Sequence, residues 1–404
     1  MTKHFRPLLI GALALSATGC DSFVQNIEDP IDTVDEARLN REDQLPYLIT
    51  GVLQRFATTY GQLTTLTGGL SDELIFDRRV PNATFPTFNE IDRGDIQLDN
   101  NSVDGALTDL GQLRFLADNL ADRLKVINAE QPEVDDPAVR ANAGFTAYLM
   151  GGVARYFYGA YFGLEPARGG GTINNGPFIP SDQLYTLAIG KLDTALTYAA
   201  TGSYEARLAN TMRAKVFVAA GRYAQAGAAA AAGLRSGDAP FLSRYSTEST
   251  NFFYSQAGRG RTQFAVAPAY VQRSQAGETR IPIESVNRQG TPTGFFRQTK
   301  FGAQESPIRL ASWQENELIR AEAELRAGNA VSATARVNAV RAASSLAPIA
   351  TLTLATVEQE RQAELFGEGI RLIDQRRFGT FHLGAGAWQF LPLTQGERNA
   401  NPNI

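Results

Sequence analysis

The chain has 404 residues, enough for one large or two ordinary domains with a real core, and its 43% hydrophobic and 20% charged content is that of a globular protein. The net charge is −4, or −6 (36 basic against 42 acidic groups) once residues 1–19 with Lys3 and Arg6 are set aside; this excludes the basic surface that nucleic acid demands. The one cysteine, Cys20, leaves no internal disulfide and no thiolate zinc site.

Residues 1–19 read as a signal peptide: Lys3 and Arg6 form a positive n-region, and Leu8 to Ala17 an apolar h-region. Ten apolar residues span only about 15 Å as a helix, too short for a bilayer core of about 30 Å. Ala17-Thr18-Gly19 before Cys20 resembles a lipobox, in which the cysteine is acylated and becomes the mature N-terminus. The other reading is an ordinary secretory signal with Cys20 incidental. Asp21 after the anchor would favour inner-membrane retention under enterobacterial sorting rules. Residues 20–42, rich in Asp and Glu with little apolar periodicity, read as the lipidated N-terminus and a solvated tether.

A first helix is predicted through EDQLPYLITGVLQRFATTY, with Leu45, Ile49, Val52, Phe56 and Tyr60 on one face. Residues 70–100 follow as a long irregular loop, of the kind that is functional or disordered. Val103 to Ile127 carries a leucine stripe, and Pro137 opens another helix that runs to the aromatic-rich ARYFYGAYFGLEP. RGGGTINNGPFIP, residues 168–180, reads as a glycine-rich loop, with Ser181 or Asp182 capping the next helix. AAGRYAQAGAAAAAGL then makes a helical hairpin broken at Gly221-Arg222, similar to a tetratricopeptide turn. Residues 236–309 differ in kind: Gly, Ser, Arg and aromatics predict short strands and loops inserted between helical blocks 103–235 and 310–378.

The C-terminal block supplies a second hairpin. Leu318, Ala321 and Leu325 share one face, Gly328-Asn329 breaks the run, and Ala333, Val337 and Val340 share the next. A single further helix is predicted through EQERQAELFGEGIRLIDQRRFG, and the chain closes on LPLTQGERNANPNI. The AEAELRAGN turn, the VNAVRAAS helix, the ERQAELFGEGIRLIDQRRFG segment and this asparagine-rich tail, in that order, resemble the C-terminal half of the SusD/RagB family. The helix followed by Ser71-Asp72-Glu73 and a long loop is similar to the family's N-terminal region. The resemblance implies a mainly α fold, a tetratricopeptide-like αα-superhelix with an inserted irregular, short-strand region, forming one domain over residues 43–404. It also implies a lipoprotein of the outer membrane, facing the cell exterior, that binds oligomeric nutrients and delivers them to a TonB-dependent (SusC-like) transporter by closing over it.

Catalytic patterns are sparse. His382 is the one histidine beyond the signal, and no GxSxG accompanies it for a Ser-His-Asp relay. Asp72-Glu73, Glu322/Glu324 and Glu358/Glu360/Glu364 are candidate carboxylate pairs for glycoside hydrolysis, against a reading as solvated faces or structural ion pairs. DNNSVDG at 99–105 fails as an EF-hand loop, because position twelve is Gly111, and is expected to cap the next helix. Gly169-Gly170-Gly171 and Gly258-Arg259-Gly260 lack the lysine and strand–helix context of phosphate loops. The expectation is therefore a binding protein and not an enzyme, with no cofactor and no metal. Its candidate ligand-contacting residues are Phe76, Arg78, Phe85 and Phe88 in the first loop, and Phe295 and Phe296 in the insert. The same aromatics could instead anchor their loops to the helical body. The ligand expected is an oligosaccharide or a peptide. The rival classes are a structural tetratricopeptide-type scaffold lipoprotein and a surface glycan hydrolase.

Overall fold

The computed structural model describes residues 36–133, 135–286 and 294–404. The predicted signal peptide, the anchor Cys20 and the tether up to residue 35 lie outside the described residues. The last part of the predicted tether belongs to the body instead. Two 3-10 turns, Glu36–Leu39 and Glu42–Gln44, dock on the helices. Arg123 donates to the Glu36 carbonyl and to Asn40 Oδ1, while Glu42 is buried with Arg140 donating Nε to its Oε2 at 2.7 Å.

Helix α1 runs Leu45–Leu70, ten residues past the predicted end. Its C-terminal half, GQLTTLTGGL, is poor in helix formers. Burial overrides that: Thr65 and Thr67 return their hydroxyls to the Gly61 and Leu63 carbonyls, and the glycines admit close neighbours. A Cβ on Gly69 would lie 2.5 Å from the Phe264 ring. Strand β1 (Leu74–Ile75) follows, then α2 (Pro86–Arg93), a helix inside the stretch predicted to be loop.

α3 (Asn101–Glu130) starts as expected, with Asn100 Oδ1 accepting the Ser102 and Val103 backbone N–H groups. α4 (Pro137–Tyr161) packs antiparallel to it, and α5 (Ser181–Thr197) packs on the far side of α4. Ser181 is not the cap of α5; it bonds the Gly159 carbonyl and ties that helix to α4. The expected glycine loop is partly strand. β2 (Phe162–Glu165), β3 (Arg168–Gly171), β4 (Ile179–Pro180) and the C-terminal β10 (Leu391–Pro392) form one four-stranded sheet in the order β10-β2-β3-β4. The β10–β2 pairing is parallel and the other two are antiparallel.

The hairpins form as read. α6 (Tyr204–Ala219) and α7 (Tyr223–Ala231) turn at Gly221, φ 70°, and α10 (Trp313–Arg326) and α11 (Ala330–Ala343) turn at Gly328, φ 86°. Small residues bring α7 against α10, where a Cβ on Gly227 would lie 2.9 Å from the Ala323 Cβ. Between the hairpins, β5 (Phe241–Ser243) pairs with β9 (Ile308–Ala311), β6 (Ala265–Val266) with β1, and β7 (Ile283–Ser285) with β8 (Phe296–Gln298). Two short helices, α8 (Phe252–Ala257) and α9 (Pro268–Gln275), join them. The architecture is mainly α, a helical superhelix with an insert of short strands.

The last predicted helix is two: α12 (Leu354–Glu364) and α13 (Arg371–Phe378). Gly367 and Gly369, both near φ 72°, break it so that Glu368 turns inward between Lys300 and Arg309. This segment holds a buried charge network. Arg361 pairs with Asp374, Arg377 with Asp374 and Glu322, Arg371 with Asp72 and Glu358, and Arg309 with Glu364 and Glu368. Apart from Glu358, which Arg371 and the Thr380 hydroxyl share, each carboxylate meets a guanidinium with two-pronged geometry or a second cation, as burial requires. The tail ends in α14 (Gln395–Ala400).

Candidate ligand-binding surface

The insert meets the first loop along β1–β6, where Leu74 pairs with Val266. Gln263 Oε1 accepts the Thr84 and Phe85 backbone N–H groups and so fixes the approach to α2. Phe264 then becomes the hub of the aromatic residues. Phe88 stacks on it at 4.8 Å between ring centroids, Phe76 meets it edge-on at 6.4 Å, and Phe85 meets Phe88 edge-on at 5.3 Å.

This geometry divides the six expected contact residues. Phe88 is fully buried, and Phe76 and Phe295 are 8% exposed, so those three rings serve as anchors of their loops and offer no face to a ligand. Arg78 is exposed, and Phe85 and Phe296 are half-buried; these keep accessible surface. The first-loop and insert residues do converge. Arg79 lies 5.1 Å from the Phe295 ring centroid, and Arg261 lies 4.4 Å from that of Phe85. Arg261 was missed from sequence, although it follows the Gly258-Arg259-Gly260 run whose backbone swings it across.

Several charges around the surface are paired. Arg79 bonds Asp77 and holds that carboxyl below its ordinary range. Arg259 and Arg297 both grip Glu284, and the Arg259 bonds foremost pull its pKa down to about 2. Beneath the loop, burial pushes Asp92 up to about 6. The surface thus presents aromatic edges, the carboxylate-paired guanidinium groups of Arg79, Arg259 and Arg297, and Arg261 bonded to the Thr84 hydroxyl and lying over Phe85.

The candidate carboxylate pairs belong to the frame. Asp72, Glu322, Glu324, Glu358, Glu360 and Glu364 are each held by arginine. Glu73 is buried on a backbone N–H. His382 lies at the surface beside the Gln375 amide, and partial desolvation holds it below its ordinary pKa. Among the described residues, no group of three or more His, Cys, Asp or Glu side chains converges to hold a metal ion.

Residues 308–404 match the model of the SusD family. No curated protein matches the sequence. Similar solved structures include a SusD superfamily protein from Bacteroides thetaiotaomicron, 17% identical, with TM-score 0.74 over 90% of this chain and 99% of the other. A SusD-like carbohydrate binding protein from Bacteroides vulgatus is 13% identical, with TM-score 0.70 over 90% and 97%. Surface glycan-binding protein A from Bacteroides thetaiotaomicron is 15% identical, with TM-score 0.67 over 90% and 98%. The C-terminal segment thus matches the SusD family model, and over nine-tenths of the chain the fold is similar to that of SusD superfamily structures.

Proposed function

We propose that the protein is a lipid-anchored binding protein of the outer-membrane surface that captures oligosaccharide and delivers it to a SusC-like TonB-dependent transporter. The observation that carries this is the aromatic and guanidinium surface at the junction of first loop and insert: Phe85 of the loop under Arg261 of the insert, with Arg78 of the loop and Phe296 of the insert also accessible. Flat apolar rings stack on sugar faces, and guanidinium N–H groups bond hydroxyls. Two similar structures are described as carbohydrate- and glycan-binding proteins. Capture and release need no covalent step, so the protein acts as a binder and not as an enzyme. In this reading residues 1–19 are removed, Cys20 carries the lipid, residues up to about 35 form the tether, and 43–404 act as one binding unit. Two or three acyl chains, at about 0.8 kcal/mol per buried methylene, hold firmly. Among the described residues no helix is long and apolar enough to cross a membrane, so attachment would fall to the anchor.

Mild-detergent isolation from native membranes, with oligosaccharides and peptides screened in parallel, tests this. Co-purification of a large β-barrel and binding of an oligosaccharide are expected, and Cys20→Ala is expected to release the protein from membranes. Peptide binding alone, or recovery without a barrel, contradicts the proposal.

A further inference from the structure

A second polar cleft lies away from the loop surface, where α3, α4, the turn after β3 and α14 come together. It comprises two adjoining hollows of about 280 and 410 Å³ that share Gly111, Tyr158, Thr172 and Glu397. None of its lining residues belongs to the loop surface.

Its chemistry is built. Asn174 and Asn175 are consecutive left-handed residues, φ 54° and 52°, a conformation asparagine tolerates better than most side chains. The C-terminal tail holds that turn in place: Asn401 Nδ2 donates to the Gly176 carbonyl at 2.9 Å and Asn403 Nδ2 to the Asn175 carbonyl at 2.7 Å. Among the described residues nothing hydrogen-bonds the side-chain amides of Asn174 or Asn175 themselves, and both line the cleft. Opposite them, Glu397 Oε1 accepts the Thr172 hydroxyl at 2.5 Å, while its Oε2 has no described protein partner. Arg114, only 9% exposed, donates to Asp118 at 3.2 Å and still lines the cleft.

Gly111 leaves room on α3, since a Cβ there would already meet the Tyr158 hydroxyl at 3.5 Å. Phe115 lines neither hollow but follows Gly111 by one helical turn, and helix geometry tilts its side chain toward the N-terminal turn of α3 that carries Gly111. Phe115 is 56% exposed, although a ring of that size is ordinarily buried. Guanidinium, carboxylate and amide groups in the cleft, with an exposed aromatic ring one turn along α3, make a set suited to a neutral polyol ring. The carboxylates present, Glu397 and Asp104, disfavour an anion.

We infer that the cleft between Gly111, Asn174–Asn175 and Glu397, capped by Phe115, is a second carbohydrate subsite that binds a sugar ring by stacking on Phe115. It shares the ligand class of the proposed function and none of that site's residues. The test is titration calorimetry of the full chain with maltohexaose, laminarihexaose and xylohexaose. Wild type is compared with Phe115→Ala, Asn175→Gly and the loop-surface double variant Phe85→Ala/Phe296→Ala, each shown to melt like wild type. At least a fivefold loss of affinity, or loss of one of two binding events, is expected in Phe115→Ala and in Asn175→Gly. If these variants bind like wild type while the loop-surface variant does not, the subsite is overturned and the function stands. If they lose binding and the loop-surface variant keeps it, the subsite stands and the loop surface is overturned as the capture site. Binding of none of the three sugars overturns both.

Discussion

The backbone N–H of Gly367 donates to Glu73 Oε1 at 3.1 Å, joining the end of α1 to the C-terminal segment across 294 positions of sequence. The other carboxyl oxygen of Glu73 is buried without a hydrogen-bond partner, and burial raises the group to about pH 8 from an ordinary 4.5. The folded state therefore holds a proton there that the unfolded chain gives up near pH 4.5. This contribution to stability is complete below about pH 4.5 and is lost as pH rises through about 8.

Glu73→Gln keeps the shape of the protonated acid and removes that loss. Urea unfolding at pH 5 and pH 8.5 is expected to show wild type declining relative to the variant by on the order of a few kcal/mol. A parallel decline in both proteins would mean that Glu73 is ionised in the fold.

Arg371 ties the first loop to the C-terminal helices, donating to both Asp72 oxygens at 2.6 and 2.8 Å and to Glu358 at 2.7 Å. Arg371→Met fills similar space but strands two partly buried carboxylates. It is expected to cost about 3 kcal/mol in urea unfolding. Arg41→Ala breaks an exposed pair with Asp43 and is expected to shift nothing measurable. Equal effects from the two substitutions would contradict the burial argument.

Gly69→Ala places a methyl 2.5 Å from the Phe264 ring, which stacks on Phe88 and through it positions Phe85. A cost of about 1–3 kcal/mol is expected from overpacking, together with weaker oligosaccharide binding at the loop surface. Loss of stability with unchanged affinity would separate the aromatic hub from the site.

What could be read in the sequence was what local chemistry decides. Gly221 and Gly328 turn the hairpins because glycine alone adopts their backbone without strain, and Asn100 caps α3 from its own side chain. The misreadings share a tertiary cause. α1 continues past Tyr60 because residues 63–70 are buried against distant segments such as Phe264, and the Gly367–Gly369 break exists so that Glu368 can meet Lys300 and Arg309. At the site, Phe88 and Phe85 look alike in sequence. Only the packing of Phe264, almost two hundred residues away, buries one ring and leaves the other at the surface.

The most direct test of the account is the affinity of the full chain for an oligosaccharide, with and without the two accessible rings of the loop surface. Phe85→Ala/Phe296→Ala is expected to bind at least tenfold more weakly than wild type while still folding and melting cooperatively, because neither ring is fully buried. Undiminished binding in that variant would contradict the account.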